Sequence, residues 1–301
     1  LARLPVLTKH DVIEHKTALL ARRRRDMDRI VMWSKSSGTT GRPALVAQSL
    51  QSRLLQCAAL QREARWFRWD PMAKYALIRL DLPKLPDGQT VQNGQVVVRN
   101  AWPQIRFFFR TGPVVGFRST NPIDQQIDWL MEHEPAYLVT QAANLEHLAW
   151  AWPNEQPPKA LAGCKVISMQ LTESMRRRIE STFNVPVRQN YGLNEVGLVA
   201  TRCPEGGRYH VHSDVAIVEI VDDDNQPVAP GEQGRLLVTS LSNGAMPMIR
   251  YDTDDLAVAS ADACPCGRTL PTFDNIVGRY SRLAFLPDGA FNDWLALRNG
   301  L

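Results

Sequence analysis

The sequence predicts an α/β protein: a mostly parallel sheet covered by helices, followed by a smaller β-rich subdomain. Between about residues 30 and 200, short apolar runs alternate with amphipathic stretches, the pattern of strands and their covering helices. From about residue 207 the apolar runs are joined instead by turn chemistry, as in Asp222–Pro227 and Ala229–Gly234, which marks short strands connected by turns. No helix of ordinary length fits between those later runs.

The elements follow in order. Arg29–Trp33, Tyr75–Leu80, Ile105–Phe109, Ala136–Thr140, Lys165–Ser168 and Val185–Asn190 read as strands. Ser49–Trp66, Asn121–His133, Ala142–Trp150 and Thr172–Phe183 read as helices. In the first helix Leu50, Leu54, Leu55, Ala58 and Ala59 fall at helical spacing, which predicts its buried face. Thr172, with acidic Glu173 after it, suits a helix start. In the β-rich part Val215–Asp222, Gly234–Leu241, Met248–Thr253 and Leu256–Ser260 read as strands, closing near Gly278. Leu286–Asp293 reads as a hairpin-like turn, with a short helix after it. The domain reading is a core over 1–206, a β-rich subdomain over 207–280, and a hinge with the start of a further domain over 281–301.

Composition narrows the function classes. Of 301 residues, 44% are hydrophobic and 22% charged, ordinary for a soluble globular protein. A net charge of +4 arises from 35 basic and 31 acidic residues. The densest basic run, Arg22–Arg25, lies beside Asp26 and Asp28 without interleaved aromatics. It reads as a solvated face, and no nucleic-acid partner is expected. No apolar run approaches the about 20 residues of a membrane span. Leu1 opens the chain without a signal-peptide pattern, so the chain reads as a fragment or as the ordered part of something longer. Five widely spaced cysteines, an odd number, argue for a reducing, cytoplasmic compartment.

One segment, Ser34–Pro43, holds three serines, two threonines and two glycines. Ser36, Ser37, Gly38, Thr39, Thr40 and Gly41 offer backbone N–H groups and four hydroxyls, a nest suited to tetrahedral oxyanions. It lacks the lysine of a GxxxxGK[ST] phosphate loop. On loop chemistry alone a polar surface turn and a phosphate cradle both stay open. The apolar run before it favours the cradle.

The cysteines carry a second pattern. Cys203, His210, Cys264 and Cys266 make a Cys₃His set of the kind that holds structural zinc. The spacings differ from those of zinc fingers. The other reading is free thiols in turns with His210 or His212 exposed in a strand. Cys57 and Cys164 read as small core residues.

The Ser36–Pro43 run, then Tyr191–Gly197 (YGLNEVG), Ile249–Asp255 (IRYDTDD) and Gly278–Tyr280 (GRY), occur in that order. Together they resemble the adenylate-forming superfamily, and most of all its phenylacetate-CoA ligase family. The likeness runs from Leu4 to Ile276 and includes the Gly231–Tyr251 segment and a Pro265-Cys266-Gly267-Arg268 run. The resemblance implies the large-domain fold of those enzymes and an ATP-dependent ligase that activates a small carboxylic acid. The acyl adenylate would form with release of pyrophosphate. A thiol, CoA by default, or else a carrier protein or an amine, would then take the acyl group. Residue by residue it implies that Ser36–Gly41 wrap the β- and γ-phosphates, with Thr39 and Thr40 as donors and Thr40 catalytic. Gln189, Asn190 and Tyr191 would line the adenine site. Glu195 would be catalytic as a Mg²⁺ ligand, Asp255 would accept from the ribose hydroxyls, and Arg279 would reach the ribose or α-phosphate. Relatives carry similar CPCGR runs, in line with structural Zn²⁺. The acid pocket would lie among Phe109–Gly116, Ile167–Gln170 and the Tyr191 loop. Trp102, Phe107 and Phe108 suit an apolar or aryl acid, or serve as plain core. A homodimer stays open, as does a nucleotide-binding protein without catalysis.

Three departures from the family pattern bear on these expectations. The usual glycine-rich acidic segment reads Ile167-Ser168-Met169-Gln170-Leu171, so the acid need not be phenylacetate. Asp254 stands where a glycine is usual. Ser281 and Arg282 replace the two hinge acids, and 19 residues follow Arg282, too few for the small lysine-bearing domain. That domain is expected to be absent, leaving residues 1–301 able to bind ATP but slow to adenylate, with Lys165 the last lysine.

Overall fold

The computed structural model describes every residue except 23–28, 30, 36–42, 86–87, 103–109, 154–155, 168–170, 280–282, 286–290 and 294–301. The expected strand Ile105–Phe109, the pocket residues Ser168–Gln170, the hinge at Ser281 and Arg282, the last helix and most of the basic run lie outside the described residues. The chain divides into two compact units, residues 1–59 with 191–301, and residues 60–190.

The first elements in the chain are helix α1 (Lys9–Glu14), strands β1 (Val31–Lys35) and β2 (Leu45–Ser49), and helix α2 (Leu50–Trp66). The unit of residues 60–190 then holds β3 (Tyr75–Arg79), β4 (Val97–Arg99), β5 (Val114–Arg118), α3 (Ile123–His133), β6 (Tyr137–Gln141), α4 (Ala142–Ala151), β7 (Gly163–Ile167), α5 (Glu173–Phe183) and the start of β8 (Val187–Leu193). The strand order is β8-β7-β6-β3-β5-β4. All neighbours are parallel except β4 with β5. Sequence-adjacent strands can run parallel only if a long crossover returns the chain, and α4 and α5 supply such crossovers. Thr172 caps α5 by accepting from the Met175 N–H at 3.2 Å, as its position predicts.

Each face of this sheet has its own core. Helices α3, α4 and α5 cover one face, with Ile78, Leu138, Leu145, Ile179 and Phe183 fully enclosed. Cys164 lies in that core, where burial pushes its thiol up to about 12. The opposite face carries an aromatic layer of Phe67, Trp69, Trp102 and Tyr137. Trp69 and Tyr137 stack there at 4.2 Å.

The other unit contains β9 (Gly197–Arg202), β10 (Tyr209–Val211), β11 (Ala216–Val221), β12 (Gln233–Ser240), β13 (Tyr251–Ala259) and β14 (Thr272–Arg279), besides the hairpin strands β15 (Leu283–Phe285) and β16 (Phe291–Asp293). Their order is β11-β12-β13-β14-β10-β9, with antiparallel pairing from strand to strand. No helix occurs among the described residues after Phe183.

Two expectations need correcting. Met248–Thr253 and Leu256–Ser260 are not separate strands, because β13 runs through Tyr251–Ala259. The polar Thr253–Asp255 stretch interrupts the apolar alternation, and a register shift against β12 absorbs it. The buried face of α2 is also not the leucine face. Ser52, Cys57, Ala59 and Glu63 are buried while Ala58 is exposed. This stripe is polar because its partners are polar: Gln56 donates to the Val196 carbonyl and Ser52 N–H to Ser49 Oγ.

Candidate functional site

The hydroxyl-rich segment Ser36–Gly41, including Thr39 and Thr40, lies outside the described residues, but both of its flanks are placed. β1 and β2 pair antiparallel, with Lys35 opposite Leu45. Asn194 links these flanks to the YGLNEVG segment: its carboxamide donates to the Lys35 carbonyl at 3.2 Å, and its own carbonyl accepts from Gln48 at 2.7 Å.

Four expected site residues meet in the unit of residues 1–59 and 191–301. β13 and β14 bring Asp255 opposite Arg279 in register, with Arg279 Nε 3.5 Å from the carboxylate. Tyr191 donates its hydroxyl to the other Asp255 oxygen at 2.7 Å. Beside them Tyr251 donates to Glu195 at 3.2 Å. Tyr191, Glu195 and Asp255 are all buried. Burial raises Asp255 to about 6, Asp254 and Glu195 push the same way, and Tyr191 and Arg279 oppose them. Tyr191 is raised well above the usual phenol range by burial and then by Asp255, and Tyr251 likewise by burial and then by Glu195. The second Glu195 oxygen has no partner among the described residues. A buried carboxylate oxygen so placed fits a hard divalent cation.

Asp254, where a glycine was expected, has φ +64°. That left-handed geometry explains the usual glycine. Aspartate tolerates it because its N–H is taken by Asp252 Oδ1 at 2.9 Å.

Gln189 and Asn190 point to opposite sides of β8. Gln189 is buried, 3.5 Å from an Arg176 guanidinium nitrogen on α5. Asn190 faces α2 and donates to Glu63 at 2.7 Å. Sequence reasoning missed what Asn190 joins: a buried ion pair between Glu63 of α2 and Lys165 of β7. The signal was a lone lysine in the apolar run Gly163–Ile167, since a lysine in a strand covered on both faces needs a partner.

The Cys₃His set assembles. The ligand atoms of Cys203, His210, Cys264 and Cys266 all lie within 4.8 Å of one another. Two similar turns make this possible, Cys203–Gly207 and Cys264–Gly267. Each closes by an N–H from its last glycine to the carbonyl of its first cysteine, and those glycines have φ +75° and +78°. Gly206 must lack a side chain, because a Cβ there would sit 2.3 Å from the Cys264 sulfur. Backbone N–H groups of Gly206 and Arg268 donate to the sulfurs of Cys203 and Cys266, and His210 Nε2 is 3.2 Å from Cys266. Burial pushes Cys203 up to about 12. Burial also raises Cys266, but hydrogen bonds from Arg268 and the neighbouring thiols outweigh it and leave Cys266 lowered. His210 is lowered by burial and by Arg268, which favours the neutral, ligating imidazole. His210 and His212 are both fully buried, so the alternative of exposed histidines is ruled out. His212 instead bonds Thr201 at 3.0 Å. Cys57 is buried, as expected.

The fold and this site have known relatives. The model of the AMP-binding enzyme family matches residues 5–246. The chain belongs to the AMP-binding enzyme family. Among curated proteins it is 36% identical over 112 residues to a phenylacetate-coenzyme A ligase of Thermus thermophilus, covering 36% of this chain and 25% of the relative. It is 38% identical over 112 residues to the Escherichia coli K12 ligase of the same name, with the same shares covered. The chain thus spans about a quarter of the length of these relatives in the matched region. Among solved structures, a 2-hydroxyisobutyryl-CoA ligase in complex with 2-HIB-AMP and CoA has a TM-score of 0.73 at 19% identity, covering 97% of this chain and 67% of that one. An anthranilate CoA ligase in complex with anthranoyl-AMP has a TM-score of 0.65 at 13% identity, over 87% of this chain and 50% of that one. At these identities the structures speak for the fold, an α/β large domain. No described helix is long and apolar enough to cross a membrane.

Proposed function

We propose that the protein activates a small carboxylic acid with ATP, forming an acyl adenylate and pyrophosphate, and passes the acyl group to CoA. The observation that carries this reading is the buried Tyr191–Asp255–Arg279 cluster beside Glu195, reached through Asn194 from the flanks of the hydroxyl-rich segment. The acid's carboxylate oxygen attacks the α-phosphorus and the bond to pyrophosphate breaks, so no protein nucleophile is needed and the chain's task is positioning. Ser36–Gly41 bind the outer phosphates, with Thr39 and Thr40 donating. Asp255 accepts from the ribose hydroxyls while Tyr191 and Arg279 fix its orientation. Glu195, held by Tyr251, would ligate Mg²⁺, which would supply charge neutralisation for the phosphates.

Acid-dependent pyrophosphate release, read over a panel of aryl, fatty and amino acids with and without CoA, tests the reading. Release with at least one acid, and thioester only when CoA is present, supports it. Nucleotide binding with no acid-dependent release would leave a nucleotide-binding protein without catalysis.

The Cys₃His cluster supports a structural Zn²⁺ held by Cys203, His210, Cys264 and Cys266, pinning two turns without a catalytic role. Metal analysis should find one zinc per chain in protein purified without added metal, and Cys264→Ser should lose most of it. Full retention in that variant would remove Cys264 from the set. The five free cysteines support a cytoplasmic setting.

A further inference from the structure

The roles proposed above leave the buried Lys165–Glu63–Asn190 group unused. Alternation along β7 and β8 sets it on the aromatic face of the sheet. Cys164, Val166 and Val187 belong to the helix-covered core, whereas Ile167 packs with the aromatic layer and Arg188 lies 5.6 Å from the Phe67 ring. Register pairs Lys165 with Arg188 and Val166 with Gln189, which sets the group mid-strand on β7 and β8.

The group's hydrogen-bonding capacity is not used up. Lys165 is 5% exposed, and its ammonium carries three donors. Glu63 takes one, and no other described residue takes the remaining two. Asn190 donates through Nδ2 to Glu63, and its carbonyl oxygen has no partner among the described residues. Unused donors on a buried lysine cost free energy unless a ligand meets them. Replacing a buried ion pair by apolar residues is often neutral or stabilising, so stability alone does not account for the pair.

We propose that Lys165, Glu63 and Asn190 form a specificity site for a hydroxyl group on an aryl acid. This rests on the acid-activating function proposed above. A hydroxyl matches the pattern on both sides, accepting from Lys165 and donating to the Asn190 carbonyl. Glu63 already balances Lys165, and a hydroxyl adds no charge to that pair. The group lies on the face of the sheet that carries the Phe67, Trp69, Trp102 and Tyr137 layer, which suits an aromatic body.

The test measures binding by calorimetry with a non-hydrolysable ATP analogue present. Phenylacetate and benzoate are compared with their ring-hydroxylated derivatives. In at least one matched pair the hydroxylated acid should bind about 10- to 100-fold more tightly, the range of a hydrogen bond to a charged group. In the double variant Lys165→Met, Glu63→Gln, that preference should fall to about twofold or less, with affinity for the ATP analogue unchanged. If the double variant does not melt cooperatively, Asn190→Ala takes its place and should reduce the preference at least about fivefold. Equal binding of parent and hydroxylated acids overturns the inference, as does a preference that survives the substitutions. Binding of the ATP analogue but of no acid also overturns it while leaving the nucleotide site standing. Failure of the analogue itself to bind would instead sink the proposed function.

Discussion

In the unit of residues 60–190, the buried Glu63 meets an ammonium and a carboxamide. In the other unit, buried Glu195 and Asp255 meet tyrosine hydroxyls, with Arg279 3.5 Å from one Asp255 oxygen. The first carboxylate is neutralised inside the protein. The second pair keeps a net negative charge that burial penalises, which is why Asp255 rises to about 6. A fold tolerates that penalty where something from solution will relieve it, which under the function proposed above is a divalent cation and the ribose hydroxyls. A complete ion pair and an incomplete one thus mark different uses of the same residue type.

The contrast can be broken at its strongest point first. Lys165→Ala leaves Glu63 buried without its cation and should cost about 3–5 kcal/mol of unfolding free energy by urea titration. A cost under about 1 kcal/mol would mean that the pair is not the internal neutraliser described. Glu195→Gln should leave urea stability nearly unchanged but slow Mg²⁺-dependent pyrophosphate release about a hundredfold, or about 3 kcal/mol. An unchanged rate at saturating Mg²⁺ would remove Glu195 from the metal site.

The Asp255 prediction depends on pH. Its folded pKa lies above the unfolded value of 3.8, so its contribution to stability is present below that value and is lost as pH rises through about 6. Under the proposed function its service to ATP has the opposite sign, because only the ionised form would accept from both ribose hydroxyls. ATP affinity should therefore fall as pH drops below about 6. Tyr191→Phe removes a donor that lowers the Asp255 pKa, so in that variant the fall should begin at higher pH, with a loss of about 1.5–3 kcal/mol in stability above it. A superimposable pH profile would uncouple the two residues. The smallest effect is expected of Asp254→Gly. Relief of the left-handed aspartate at φ +64° should raise stability by about 1 kcal/mol, and loss of its charge should lower the Asp255 pKa. A lower melting temperature would show that the Asp252 hydrogen bond outweighs the strain.

Much of this was legible in sequence because the signals were local. The helix-strand alternation of residues 60–190 reports burial on both faces, and Thr172 announces a helix start by its own chemistry. The Cys₃His set was legible as a list of ligands, and its two glycine-closed turns supply the geometry. Less legible were features that depend on what lies across the fold. The buried stripe of α2 is polar because Val196 and Lys165 meet it, so a search for leucines found the wrong face. β13 looked like two strands because a strand carrying Thr253–Asp255 inward breaks the apolar period. Asn190 was grouped with Gln189 by adjacency, although neighbours on a strand face opposite sides.

Asn194 holds the Lys35 carbonyl with its side chain and Gln48 with its backbone, and the next residue is Glu195. Mechanically it is a clasp between two strands and a carboxylate. A push on either flank of the hydroxyl-rich segment therefore reaches the residue beside Glu195 through a single side chain. Under the proposed function, grip on the outer phosphates and aim of the Glu195 carboxylate would then share this one link.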